Sequence, residues 1–208
     1  MPWSKPPAKA GSMFIALLML SGATALPAAA QDTVRVRGTI AQVDGNLLLI
    51  KSRDGNELKL QLLPNPSVSV TVKATMADIK PGSYLGVAAL AQSDGSQRAI
   101  SVHIFAEAMR GLAEGHRPWD LQPQSTMTNA NVESIVAGVS GNTVSLKYKD
   151  GEQKIVIPAD LQIVSFLPGE MADIKPGAGV IVFAAAKQAD GTLQTQRITV
   201  GRDIAPPM

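Results

Sequence analysis

From position 57 the chain alternates. Leu58-Lys59-Leu60-Gln61-Leu62 and Val68-Ser69-Val70-Thr71-Val72 place an apolar side chain at every second residue. A period of two sends neighbouring side chains to opposite faces of an extended strand, so each run predicts a strand with one face in a core and the other in water. The same pattern predicts strands at 34–43, 47–52, 57–63, 67–73, 84–91 and 97–105, and again at 132–139, 143–148, 153–157, 161–166, 180–187 and 193–200. Asp44-Gly45, Asp54-Gly55 and Asp94-Gly95 fall between the strands of the first set. Asp-Gly is favoured in tight hairpins because glycine accepts positive φ. With no helical period of useful length, six short strands joined by hairpins predict a small closed barrel, since closure removes the edges that a meander leaves unpaired.

The two sets are copies. Shifted by ninety-six positions, Val36, Ala41, Val43, Gly45, Asn46, Lys51, Asp54 and Gly55 fall on Val132, Ala137, Val139, Gly141, Asn142, Lys147, Asp150 and Gly151. Met-Ala-Asp-Ile-Lys-Pro-Gly occurs at 76–82 and again at 171–177, one residue short of that spacing, and Asp94-Gly95 and Asp190-Gly191 restore it. A register held this far marks a duplicated module. The heptapeptide falls where the chain must cross from one strand to the next. Met-Ala-Asp-Ile has the length of one helical turn, and Lys-Pro-Gly reverses the chain, Pro fixing φ and Gly taking positive φ. Ile79 and Ile174 are expected to close the end of a barrel. A ligand loop using Asp78 or Asp173 with Lys80 or Lys175 is the functional alternative.

Val36-Arg37-Gly38-Thr39-Ile40, an Asp-Gly hairpin, and Ala-Asp-Ile-Lys-Pro-Gly leading into Leu85-Gly86-Val87 together resemble a small exported bacterial domain of unknown function, regarded as OB-like. Both copies share the pattern, although Ser134 stands where the first has Gly38. The whole chain is similar to a group of uncharacterised periplasmic proteins. The resemblance implies a fold and an address, and brings no activity, cofactor or catalytic residue. The fold expected is therefore all-β: two tandem small OB-like barrels from an internal duplication, at 31–105 and 132–208, joined by an ordered linker at 106–131.

Ahead of the first copy, Lys5 and Lys9 precede the apolar run from Met13 to Leu20, and Ala28-Ala29-Ala30 precede Gln31. A basic start, a short apolar middle and an A-x-A end predict a secretory signal peptide at 1–30, cleaved near Ala30. The run is too short for a lasting bilayer span. The expected product is a periplasmic protein of 178 residues with no stable membrane anchor. Removing the leader also changes the charge: seventeen basic and seventeen acidic side chains remain. Such a balance supplies no long-range field for nucleic acid or anionic lipid. The chain has no cysteine, so packing alone must hold it in a compartment that permits disulfides.

The chemistry concentrates between the copies. His116, Arg117, Trp119 and Asp120 lie within five residues; His103 and His116 are the only histidines, and Trp119 is the only tryptophan after the leader. A plain spacer would be polar and flexible. This composition instead predicts a docked segment with a ligand-binding crevice at His116, Arg117, Trp119 and Asp120. The occupant expected is an envelope protein or a small ligand, and no cofactor is called for. A metal site drawn from His103, Glu107, Glu114, His116 and Asp120 is the alternative, but the spacing matches no established ligand set, and Pro118 interrupts a helical His116–Asp120 pair. No Cys–His or Ser–His–acid arrangement, carboxylate pair or Gly-rich phosphate loop stands out, so a hydrolase ranks third and the chain reads as non-enzymatic. The first copy has eight basic and six acidic residues and the second seven and eight, with few aromatics, which argues against the stacking grooves that bind nucleic acid.

Overall fold

The computed structural model describes residues 1–3, 32–139, 141–202, 204 and 206. The described residues from 32 onward belong to one compact unit. The expected signal peptide and its cleavage point lie, apart from residues 1–3, outside the described residues.

Residues 33–201 are an all-β structure built on β1 (Thr33–Asp44), β2 (Leu47–Ser52), β3 (Glu57–Ala74), β4 (Tyr84–Ala91), β5 (Gln97–Ile104), β6 (Gly115–Pro118), β7 (Thr126–Gly138), β8 (Gly141–Tyr148), β9 (Gly151–Ile157), β10 (Ile163–Pro168), β11 (Gly179–Lys187) and β12 (Leu193–Gly201). Short 3-10 turns at Met76–Asp78, Glu107–Met109 and Met171–Asp173 complete the elements. The alternating runs form strands as expected: Leu60 and Leu62 face inward and are buried, while Lys59 before them is exposed and Gln61 between them is half-buried.

One expected break is absent. The pattern separates 57–63 from 67–73 at Pro64-Asn65-Pro66, yet β3 runs through. Pro64 and Pro66 cannot donate to a ladder. The chain accommodates them by a bulge, with Asn65 at φ 54° and a register shift against β12 between Thr195 and Arg197. There the Gln196 side-chain amide donates to both Pro64 O and Asn65 O at 2.8 Å, occupying acceptors that the interrupted ladder would leave open.

Strand pairing does not follow the order of the copies. β1, β2 and β3 pair in sequence, and their ring is closed by β11 and β12 from the second copy: β11 lies antiparallel to β1, and β12 parallel to β3. This is a closed five-stranded barrel. Its interior holds Ile40, Leu48, Ile50, Leu60 and Val70 from the first copy together with Val180, Val182, Ile198 and Val200 from the second. The remaining strands mirror it. β7, β8 and β9 pair in sequence, β4 of the first copy lies antiparallel to β7, and β5 meets β9 in parallel over two residue pairs. A second core of Leu85, Val87, Val102, Val132, Leu146 and Ile155 fills this group. The boundaries 31–105 and 132–208 thus delimit repeats of sequence, not self-contained rings of strands. Alternation gives each strand an inner and an outer face but does not choose its neighbour, and β4 and β11 offer equivalent edges.

Between the two groups, β3 and β10 run antiparallel through Val70↔Leu167 and Val72↔Ser165. At the ninety-five-residue spacing of the adjoining heptapeptides, Ser165 is the counterpart of Val70 and Leu167 that of Val72. The two pairs therefore exchange under the repeat, which is the register of a local twofold axis.

The repeated heptapeptide is the crossover at which each copy leaves one group for the other. Gly82 and Gly177 both sit at φ 86°, and Ile79 and Ile174 are buried at 4% and 6% exposure in the second and first cores respectively. Each turn bonds to the other copy: Gly177 N–H donates to Ile40 O, and Gly82 N–H to Val132 O, both at 2.8 Å. The aspartates have structural partners too. Asp78 Oδ2 accepts from Thr75 N–H and Oγ1–H at 2.8 Å, while Asp173 accepts from Glu170 N–H and from the Arg202 guanidinium at 2.9 Å. These bonds lower both carboxyl pKa values, Thr75 N–H being the main cause at Asp78 and Arg202 at Asp173.

Candidate functional site

Arg35 and Arg37 flank Val36, which is 2% exposed in the first core. Two-residue periodicity therefore puts both arginines on the outer face of β1, side by side. The segment expected as a linker reaches this face at Trp119 and Asp120. It begins with a clamp: Arg110 pairs with Glu107 and donates to Asn131 Oδ1 and Gly82 O. Leu112 O then accepts from Tyr84 O–H at 3.2 Å and Asn129 Nδ2 at 3.0 Å, and Glu114 accepts from Lys149 N–H at 3.1 Å. Next comes β6, antiparallel to β7 from Gly115↔Asn129 to Pro118↔Thr126. Residues 126–131, expected in the linker, thus belong to β7. Residues 119–125 close a tight loop, with Trp119 N–H donating to Ser125 O at 2.8 Å and Ser125 Oγ–H facing Trp119 O and Gln122 O.

This loop delivers Trp119 and Asp120 to β1. The Arg35 guanidinium lies 3.9 Å from the Trp119 ring centroid, with Arg117 at 5.7 Å and Arg37 at 5.8 Å. The half-buried indole packs on Ala88, Leu121 and Met127. Stacked guanidinium over an aromatic face is an attractive electrostatic contact. Asp120 accepts two hydrogen bonds from Arg37, at 2.7 and 3.1 Å, and pairs with Arg35 at 2.5 Å. Hydrogen bonding from Arg37, reinforced by Arg35, holds the Asp120 carboxyl far below the usual carboxylate range.

Beside this pair a groove of about 860 Å³ opens along β1 and the β2–β3 and β11–β12 hairpins. Arg35, Arg37, Arg53 and Lys187 line it, against Asp54 and Asp120. The repeat makes this charge informative. By strand pairing the counterpart of Arg37, which faces Ile181, is Asn129, which faces Gly86, and that of Arg35 is Met127; Lys187 corresponds to Ala91, and Arg53 to Lys149. Of the four cations, only Arg53 keeps a basic counterpart, Lys149, on the equivalent face of the other group.

The histidines serve elsewhere. His116 Nδ1 lies 2.8 Å from Thr128 Oγ1, and burial, then the charge of Arg117, pushes its pKa down. His103 is 5% exposed, stacked on Phe166 at 4.7 Å and edge-on to Phe105 at 4.6 Å. Burial, with Arg117 adding, pushes it down to about 3, which leaves the imidazole neutral. Its Nδ1 has no hydrogen-bond partner. A recess of about 20 Å³ bounded by His103, Ser101, Trp119 and Met127 has room for one water and no more.

Of the residues singled out from the sequence, Arg117, Trp119 and Asp120 come together on β1, and His116 stands one strand position away facing Thr128. The metal set is not assembled: Glu107 pairs with Arg110, Glu114 with Lys149 N–H, Asp120 with two arginines, and His103 lies among aromatic rings. Among the described residues, no three His, Asp or Glu side chains group to hold a metal ion. Arg35 and Arg37 were missed, although Arg-Val-Arg in a strand was a visible signal. No protein family, curated protein or solved structure matches the chain.

Proposed function

We propose that this is an exported, non-enzymatic binding protein of the bacterial cell envelope, built from two OB-like units that arose by duplication. Its site is the crevice where residues 115–121 lie on β1, and its ligand presents an anionic group there. One observation carries the reading: two outer-face arginines already hold a carboxylate, that of Asp120, beside a groove where Arg53 and Lys187 have no ion-pair partner among the described residues. Guanidinium forks favour carboxylate and phosphate in this geometry. Three of the four cations have no basic counterpart on the duplicated face, which supports a role gained by one copy alone. Packing and ion pairing hold Trp119 and Asp120 in place, which suits a preformed binding surface.

The mature chain used as bait in a native envelope extract tests this. Retention of a partner by the parent chain, and its loss in Arg53→Gln/Lys187→Gln, supports the site. Equal retention by both chains moves the site elsewhere.

A further inference from the structure

Three observations converge on how the two copies depend on each other. Each five-strand group takes three strands from one copy and two from the other. β3 and β10 meet in a register that the repeat maps onto itself. Each heptapeptide turn places its isoleucine in one core and its glycine N–H on the opposite copy, so the segment that repeats letter for letter is the one through which the strands are exchanged.

From these we infer that one copy is a half-built unit whose partner is a second copy of the same module, and that the covalent connection through residues 106–125 is not what closes either ring. The inference rests on the duplication proposed above but not on the ligand site. The physical reason lies in the edges. Without β11 and β12, the β1–β2–β3 meander exposes two unpaired edges and loses Val180, Val182, Ile198 and Val200 from its core. Without β4 and β5, β7–β9 lose Leu85, Val87 and Val102. No such loss follows from cutting between the copies, because no barrel-closing pair depends on that connection. The segment between copies is thereby free of a duty in ring closure. That is consistent with its carrying the unrepeated chemistry of His116, Arg117, Trp119 and Asp120.

The test cuts the intact chain. Gln122, Pro123 and Gln124 form an exposed loop tip, where insertions are best tolerated. A protease recognition sequence placed between Pro123 and Gln124 allows cleavage after folding; a second variant carries it between Ala113 and Glu114 in case the first fails to fold. The expected result is that the two fragments remain one 1:1 species of unchanged size. Separated in denaturant and refolded apart, neither fragment gives a folded monomer, and mixing restores the native species. A folded homodimer of either fragment supports the inference as well, since it would be the same exchange between identical copies. Separation of the cut chain under native conditions, or a fragment that refolds as a stable monomer, would overturn it. Partner capture by the uncut chain is unaffected by either outcome, so the binding proposal stands or falls separately.

Discussion

Arg37 and Asp120 are eighty-three residues apart and share two hydrogen bonds, at 2.7 and 3.1 Å. The contact ties the unrepeated segment to the first strand of the closed barrel, and it brings Trp119 under the Arg35 guanidinium. Asp120→Ala is expected to red-shift Trp119 emission and ease its quenching. The cost in global stability should be no more than about 1 kcal/mol, because the carboxylate is half exposed and solvent screens the pair. Fluorescence and denaturant unfolding of the two chains would measure both effects, with Trp3 removed to leave one reporter.

The same pair has a pH signature. The folded Asp120 carboxyl titrates below its unfolded value, so its contribution is complete above the ordinary aspartate range and is lost as pH falls through the lower folded value. Trp119 emission should therefore hold steady as pH drops through the region where a free aspartate protonates. In Asp120→Asn the contact has no titrating acid, and the acid-induced change in emission assigned to it should vanish.

His103 gives a second pH dependence. Between its folded pKa of about 3 and the ordinary histidine value near 6.5, the unfolded chain takes up a proton that the buried imidazole refuses. Stability should fall as pH decreases across that window, by an amount on the order of a few kcal/mol, and His103 should contribute no slope above it. His103→Phe keeps a ring between Phe105 and Phe166. Comparing denaturation midpoints of the two chains at pH 7 and pH 4 isolates the term, and the variant should lose less on acidification.

Gly86 faces His103 across β4 and β5, and a Cβ at this position would lie 1.9 Å from His103 Nε2. Gly86→Ala must push the ring from its stack on Phe166. The expected cost is about 1–3 kcal/mol, as for other overpacked cores. Gly177 has open space around a Cβ, and there only φ is at stake. Gly177→Val should cost about 1 kcal/mol or more through backbone strain. Because its N–H serves the first copy, the loss should appear in one shared unfolding transition.

Most strands were legible in the alternation, and the tight hairpins in their Asp-Gly pairs: Gly45, Gly95 and Gly191 all take positive φ. The heptapeptide was legible as a turn because Pro and Gly constrain φ locally. Partner choice was not. β1 meets β11 through backbone groups that every strand carries, and β4 has the same apolar face, so no local signal separates one pairing from the other. The site divided the same way. Trp119 and Asp120 stood out by composition in a segment with no duplicate, whereas Arg35 and Arg37 join them only through tertiary structure.

Strand exchange is the claim on which the rest depends, and a cysteine-free chain permits a direct measurement. Thr33 pairs with Ala186 across β1 and β11. Antiparallel partners hold their Cα atoms about 4.5–5.5 Å apart, within disulfide range. If each copy closed on itself, Thr33 would instead face Leu90, the counterpart of Ala186 in the first copy. Oxidation of Thr33→Cys/Ala186→Cys in the folded full chain should consume both thiols rapidly, while Thr33→Cys/Leu90→Cys should keep both free. Rapid closure of the second pair with the first left reduced would contradict the exchanged fold.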